Sequence, residues 1–392
     1  MIHLVWDIPY RAPKNPVCVD CRQRFIVCMF EKGELCLGPI TKGGCRAPGP
    51  TAGLGCWGCR GPAADPNYEA FLAIARERGF SQSEPDFLAL PTVLPLLEAN
   101  PAAIDLARRR KGLGNRICDV VAGRTTHPVS LQVGGVAVMP DRRELAEIHA
   151  GLKRSLDDLD KAQALLATFE IPPFERETEF VSLPSDTEYP FIGGRLVSTD
   201  GVVRAEDDYL GMTNEYVDEH NTSKWCRLSR DSFAVGALAR FNNNHAWLHP
   251  QAKEVAAKFG LTPVCHNPFM NNVAQLVECV HVAHDAIRLI DELCADLSLP
   301  TMVRVTPRAG DGVGAVEAPR GILYHHYVYD KEGRIEKADC VIPTTQNNAN
   351  IHHDLRALAA ECAVEGMTND KLELLCSMLV RSYDPCVSCS VH

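Results

Sequence analysis

Cysteines crowd both ends of this chain. Of its 17, seven fall within the first 59 residues, at Cys18, Cys21, Cys28, Cys36, Cys45, Cys56 and Cys59, and two close the chain, at Cys386 and Cys389. Three CxxC pairs stand among them: Cys18/Cys21, Cys56/Cys59 and Cys386/Cys389. A CxxC carries two thiolates round one tight turn, so both can bind one metal ion or one cluster. A disulfide framework belongs to small secreted chains, whereas clustered cysteines in a reducing compartment point to metal or redox chemistry. Two zinc sites, at four ligands each, would take more than the seven N-terminal cysteines, and so would two 4Fe–4S clusters. A zinc-ribbon-like module and an iron–sulfur module both remain open on spacing alone. At the other end, Asp384-Pro385-Cys386-Val387-Ser388-Cys389-Ser390-Val391-His392 sets two sulfurs and a nitrogen donor together. The sulfurs suit a soft or borderline transition metal, and His392 could hold a second ion. The alternative is a thioredoxin-type redox pair, although no βαβ pattern surrounds it.

Three further segments carry residues able to do chemistry. Ala122-Gly123-Arg124-Thr125-Thr126-His127-Pro128, followed by Gly134-Gly135, contains a histidine that by itself reads as a packed, hydrogen-bonded core residue. Glu317-Ala318-Pro319-Arg320-Gly321-Ile322-Leu323-Tyr324-His325-His326 offers a guanidinium, always charged and rich in donors, which can polarise a small ligand in a dry cavity. The plainer reading of Arg320 is a surface arginine after a turn. Cys340-Val341-Ile342-Pro343-Thr344-Thr345-Gln346-Asn347-Asn348 offers hydroxyls beside a proline wall. It also reads as an N-cap cluster for a helix near Ile351.

The elements that must position these residues are mainly helical. Residues 1 to about 65 are rich in Cys, Gly and Pro and lack periodicity, as loops wrapped around a metal would. A helix begins near Tyr68 and ends by Gly79. Asp141 caps a long amphipathic helix from Arg142 to about Phe169, with Leu145, Ile148, Leu152, Leu156 and Leu159 on one stripe. Further helices are predicted from Val273 to Leu297, Asn350 to Val364 and Asn369 to Val380. Hairpins are predicted from Phe191 to Arg204, turning at Thr199-Asp200-Gly201, and from Ile322 to Val341, turning near Asp330 to Gly333. The chain is 46% hydrophobic, which fits a folded globular protein. Its net charge of −10 makes nucleic acid and anionic membrane poor partners. No secretory signal and no membrane-spanning apolar run are legible, so a soluble cytoplasmic protein is expected.

The N-terminal cysteine segment resembles the cluster-binding tail of the small subunit of cytoplasmic nickel–iron hydrogenases. Cys36-Leu37-Gly38-Pro39-Ile40-Thr41-Lys42-Gly43-Gly44-Cys45, then Cys56-Trp57-Gly58-Cys59-Arg60-Gly61-Pro62, follows C-L-G-P-x-T-R-x-G-C-G-A-x-C-P and C-x-G-C-x-G-P. Residues 85 to 392 resemble the large subunit of the same family, through G-G-R-x-x-H-P, E-A-P-R-G-x-L-x-H, V-P-T-T-x-N and D-P-C-x-x-C-x-x-H. The resemblance implies an α+β, mainly helical fold: a small loop-rich iron–sulfur segment (1–65), a junction (66–84) and a helical large-subunit-like domain with short β-hairpins (85–392). It implies one or two iron–sulfur clusters, 4Fe–4S or 3Fe–4S, on the N-terminal cysteines. It also implies a nickel–iron centre with cyanide and carbon monoxide ligands. Cys386 and Cys389 would hold the metals, Arg320 would sit over the iron, and Pro343 and Thr344 would lie beside the diatomic ligands. His392 would bind magnesium. The implied activity is interconversion of H2 with protons and electrons.

The resemblance also breaks. Gly49 stands where the family has a cysteine, and the flavodoxin-like start of the small subunit is not matched. The large subunit's R-x-C-G-x-C, which completes the family's four-cysteine nickel site, has no counterpart; Arg116-Ile117-Cys118 begins like it and stops. Cys118, Cys226, Cys265, Cys279, Cys294, Cys362 and Cys376 read as core residues. Three resolutions stay open: a partner chain supplies the missing pair, another residue such as His325 or His326 ligates, or the site no longer cycles hydrogen. Two functions follow, a minimal or split hydrogenase and an inactive iron–sulfur electron-transfer or assembly subunit. Electron-transfer partner subunits are expected in both. No GxGxxG fingerprint follows a strand, so nicotinamide or flavin is not expected to bind this chain.

Overall fold

A computed structural model describes residues 15–33, 36–44, 46–56, 63, 68–77, 100–125, 129–219, 221–295, 302–364 and 366–390. The chain divides into two compact units, Met1–Pro101 and Ala102–His392. The first is a loop-rich unit with short helices: α1 (Val17–Gln23), α2 (Pro48–Thr51) and α3 (Tyr68–Glu77), with 3-10 turns at Met29–Lys32 and Gly38–Ile40. Its buried cluster is small: Val17, Met29, Phe30, Cys36, Ala47, Cys56 and Phe71. Two of these are cysteines, so the core and the thiol cluster are one object.

The second unit has two cores. Helices α4 (Pro101–Ala122), α5 (Arg142–Leu166), α7 (Ala237–Asn244), α8 (Pro250–Lys258), α9 (Asn271–Ala295), α10 (Pro343–Val364) and α11 (Asn369–Ser382) make up most of it, with a short α6 (Tyr209–Thr213) between strands and α12 (Val387–Ser390) at its end. Asp141 caps α5, accepting from the backbone N–H of Arg143 and Glu144, and Leu145, Ile148, Leu152 and Leu159 are buried along its predicted stripe. The helical core gathers Leu159, Phe241, Val255, Val273, Val277, Leu358 and Leu379. Each such side chain contributes roughly 1.5–3 kcal/mol on burial.

The second core lies between two sheets. Strands β3 (Glu179–Ser182), β4 (Arg195–Ser198), β5 (Val203–Ala205) and β6 (Phe233–Ala234) form one, ordered β5-β4-β3-β6, with β3 and β6 parallel. Strands β7 (Gly310–Ala318), β8 (Gly321–Tyr329) and β9 (Ile335–Val341) form an antiparallel meander. Val181, Leu183, Leu196, Phe233, Ile322, Tyr324 and Val341 fill the space between them. A small hairpin, β1 (Leu131–Gln132) with β2 (Gly135–Val136), completes the β content among the described residues.

Two expectations are corrected. The β content is more than short hairpins: β7 pairs with β8 over Gly310–Ala318, a strand its three glycines hide from any propensity-based reading. And α10 starts at Pro343, not Asn350, so Thr344 and Thr345 lie in its first turn rather than before it. Proline suits that position because its fixed φ is helical and its missing N–H is not needed there. The predicted 191–204 hairpin is present as β4–β5, with Gly201 at φ +89° in its turn.

Candidate metal centres

The terminal site is built where three chain segments meet. The β7–β8 turn is only two residues long, because Ala318 pairs with Gly321, and it presents Arg320. Gly321 has φ +134° and lies against the Val235 side chain, so no larger residue fits there. Gly236, at φ +118°, approaches the other side: a Cβ on it would stand 3.2 Å from the Arg320 carbonyl. Asn347 of α10 ties the two together, accepting from Val235 N–H at 2.8 Å and donating to the Arg320 carbonyl at 3.3 Å.

From below, Arg240 holds the same turn. Its guanidinium is 1% exposed and uses all five donors. Nε and one terminal nitrogen fork onto Glu278 at 2.6 and 2.7 Å. The others reach Glu317 at 2.9 Å and the carbonyls of Ala318 and Pro319 at 3.0 and 3.1 Å. Burial pushes the Glu317 carboxyl up, opposed by Arg240. A cavity of about 640 Å³ opens beside this cluster, reached by Leu113, Phe191, Cys279, Pro319 and Asp384.

Arg320 bonds to the segment that carries the terminal cysteines. Its Nε donates to the Asp384 carbonyl, and a terminal nitrogen lies 3.1 Å from the Asp384 carboxylate. Asp384 sits in the left-handed region at φ +49°, an arrangement that costs energy for a non-glycine residue and that the arginine's grip offsets. Just before it, Tyr383 is anchored in a buried network. Its hydroxyl donates to Asp354 and accepts from Asn350 Nδ2 at 2.7 Å, while Arg176 donates to both Asp354 and Asn350. Burial pushes the Asp354 carboxyl up despite Arg176.

Thr344 completes the arrangement. Its Oγ1 accepts from the Cys386 backbone N–H at 3.2 Å. The Cys386 and Cys389 sulfurs are joined as a disulfide, with Cα atoms 5.3 Å apart. Both sulfurs therefore reach one point, as two thiolates on a shared metal would after reduction. Arg320, through Asp384, and Thr344, through the Cys386 N–H, both bond to the segment that carries Cys386 and Cys389, and Pro343 precedes Thr344 at the start of α10, whereas His392 lies outside the described residues. His325 and His326 are committed elsewhere. His325 Nδ1 meets Tyr327 and Cys340, and His326 bonds to Tyr209 and Asp311. The donor set fits a metal in its two sulfurs; among the described residues no three of His, Cys, Asp or Glu stand at the spacing of a single-ion site.

In the N-terminal unit, Cys18, Cys21, Cys28, Cys36 and Cys56 gather. Cys18 and Cys21 lie on α1, whose Asp20 accepts from Gly44 and Arg46 N–H at 2.7 and 3.0 Å. Cys36 Sγ accepts from Cys56 N–H at 3.2 Å, a buried contact. A Cβ on Gly38 would lie 3.3 Å from the Cys36 sulfur and 3.5 Å from that of Cys18, so glycine lets the backbone come this close. Burial, then Cys36, Cys21, Cys28 and Cys56, pushes the Cys18 thiol up to about 12. Burial, then Cys36 and Cys56, pushes Cys21 to about 11. Buried and crowded in this way, the thiols resist joint ionisation unless a cation stands among them. Cys45 and Cys59 lie outside the described residues, as does His127. Sequence reasoning missed Arg240 and Tyr383 and gave no role to Asn347, although it stands in the quoted V-P-T-T-x-N segment; contacts between distant segments reveal what the three position.

Residues 201–392 match the family described as nickel-dependent hydrogenase. The chain is 32% identical over 314 residues to sulfhydrogenase 1 subunit alpha of Pyrococcus furiosus, covering 79% of this chain and 72% of that one. It is 29% identical to the NAD-reducing hydrogenase HoxS subunit beta of Cupriavidus necator, covering 82% and 72%. Among solved structures, it is similar to an NAD+-reducing [NiFe]-hydrogenase in the H2-reduced state, with a TM-score of 0.68 at 24% identity, covering 78% of this chain and 73% of that one.

Proposed function

The chain belongs to the nickel-dependent hydrogenase family, and from that premise we propose that it is a minimal or split nickel–iron hydrogenase interconverting H2 with protons and electrons. The observation that supports this is that Arg320, through Asp384, and Thr344, through the Cys386 N–H, both hold the segment whose two cysteine sulfurs are joined. An inert scaffold has no physical need for that set. When bound, a nickel–iron centre with cyanide and carbon monoxide ligands supplies the splitting of H2. The chain's own residues do the rest. Reduced Cys386 and Cys389 would grip the metals, with His392 on a structural magnesium. Pro343 would wall off solvent, and the Thr344 hydroxyl, already an acceptor for Cys386 N–H, would donate its own proton to a diatomic ligand. Arg320 stays charged and keeps donors free of Asp384 to polarise a small ligand.

On this reading the N-terminal thiols hold one or two iron–sulfur clusters that pass electrons onward. Cys18, Cys21, Cys36 and Cys56, with Cys28, supply a set for one cubane; Cys45 and Cys59 would serve another. Partner subunits would accept the electrons, and one would supply the missing cysteine pair. The relatives are themselves named as subunits. No helix among the described residues is long and apolar enough to cross a membrane, and the proposal places the protein in the cytoplasm. An inactive iron–sulfur subunit is the second reading, favoured by the mere two sulfurs at the terminal site. Metal analysis and infrared spectroscopy of anaerobically purified protein decide between them. Stoichiometric nickel with bands of iron-bound cyanide and carbon monoxide is expected. Iron and sulfide without nickel would establish the second reading instead.

A further inference from the structure

Apart from both metal-ligand sets, one cysteine shares a cluster with an imidazole and a phenol. Cys340 on β9 sits directly across the ladder from His325 on β8. Its sulfur lies 3.3 Å from His325 Nδ1, and the Tyr327 hydroxyl lies 2.8 Å from the same nitrogen. The His325 and Tyr327 rings are stacked, with centroids 5.7 Å apart. All three residues are half-buried, so the sulfur is neither sealed nor fully washed by water. Burial and then Cys340, to whose sulfur it hydrogen-bonds, push the Tyr327 phenol up. On the far side of His325 the paired residue is Gly314, with open space where a side chain would begin.

Other isolated cysteines stand differently. Cys226 and Cys362 are buried. Burial pushes the thiols of Cys265 and Cys376 up, against ionisation, and Cys279 is exposed on the wall of the cavity beside the β7–β8 turn. Cys118 and Cys294 are half-buried on α4 and α9 and serve as internal references.

We propose that Cys340, His325 and Tyr327 form a reactive-thiol site whose reagent is a small peroxide. His325 Nδ1 takes the thiol proton, and the Tyr327 O–H steadies the thiolate by donating to it. The thiolate attacks one peroxide oxygen; the S–O bond forms as the O–O bond breaks. The leaving hydroxide takes the proton from the imidazolium and departs as water. Sulfur loses the two electrons that the peroxide gains, leaving a sulfenic acid at Cys340. No metal takes part, so the site stands or falls independently of the hydrogenase reading.

The test is peptide-resolved mass spectrometry of the full chain during alkylation with iodoacetamide. At neutral pH Cys340 should react ~10-fold or more faster than Cys118 and Cys294. His325→Gln should bring it to within about twofold of them, and Tyr327→Phe should slow it by a smaller factor. Brief exposure to hydrogen peroxide followed by dimedone should label Cys340 first. A wild-type Cys340 no faster than Cys118 and Cys294 overturns the proposal, a result that needs no variant to fold. So does an unchanged Cys340 rate in His325→Gln with native circular dichroism.

Discussion

Arg240 illustrates how a single residue governs a site it never touches. It faces two carboxylates, Glu278 and Glu317, and Tyr189 donates to Glu278 at 2.7 Å. Replacing it by Met would leave the buried Glu317 and the half-buried Glu278 without a cation. The expected loss is about 3–5 kcal/mol in chemical denaturation, the magnitude for breaking a buried ion pair from one side. Arg240→Lys keeps the charge but not the fork, so the Ala318 and Pro319 carbonyls lose their donors and Arg320 should loosen. Thr344 acts more locally. Thr344→Val removes the acceptor for Cys386 N–H, so stability should fall by only about 1 kcal/mol. Its larger effect should be on nickel content after anaerobic purification; unchanged nickel in Thr344→Val would argue that the hydroxyl has no part in holding the centre.

At the scale of elements, the tight crossing of the β7–β8 turn with the strand end at Val235 sets how close Arg320 can come. Gly321→Ala would push a methyl into Val235 at a φ that side chains avoid. A loss of about 1–3 kcal/mol is expected from overpacking. Gly201→Ala, in a turn with nothing within 4 Å of the added methyl, isolates the backbone cost alone at about 1 kcal/mol. Equal losses in the two variants would refute the packing argument. A second element-level effect concerns α8 and α9. His249 stacks on His284 with centroids 3.9 Å apart, and His281 Nδ1 accepts from His249 N–H. Burial, with neighbouring imidazoles, pushes His281 and His284 below their ordinary value of 6.5. The folded state thus binds fewer protons than the unfolded chain as pH falls through 6.5, and this contribution to stability is lost on acidification. The thermal midpoint should therefore fall between about pH 7.5 and about 5.5, and fall less in His284→Asn. Parallel curves for the two proteins would show that the pair does not couple to folding.

At the scale of the molecule, the two units differ in what holds them together. The helical unit has two apolar cores, whereas the described core of the N-terminal unit is seven residues, two of them cysteines. On the proposed reading, clusters bound by its thiols supply the stability that these few described apolar residues do not. Removing iron anaerobically with a chelator should therefore expose the N-terminal unit to proteolysis while the far-UV circular dichroism of the helical unit persists. Cys36→Ser should lower visible absorption and iron together, and Cys118→Ser should change neither. Retention of full proteolytic resistance after iron removal would mean that the unit does not depend on its thiols.

The candidate metal ligands were legible in the sequence because they are residue types at fixed short spacing. CxxC, E-A-P-R-G and I-P-T-T-Q-N-N each put their donors within a few bonds of one another, whatever the fold. Most long helices were legible too, since their apolar stripes repeat with the helical period: α5 begins at Arg142 as its Asp141 cap and Leu145-to-Leu159 stripe predict, whereas α4, which has no fully buried residue, was not. What required the tertiary structure was anything set by contacts between distant segments. β7 pairs with β8 although its glycines carry no strand signal, α10 reaches back to Pro343, and Arg240 lies 80 positions before the Arg320 whose turn it braces. Such contacts depend on how sheets and helices cross, and no local pattern records a crossing.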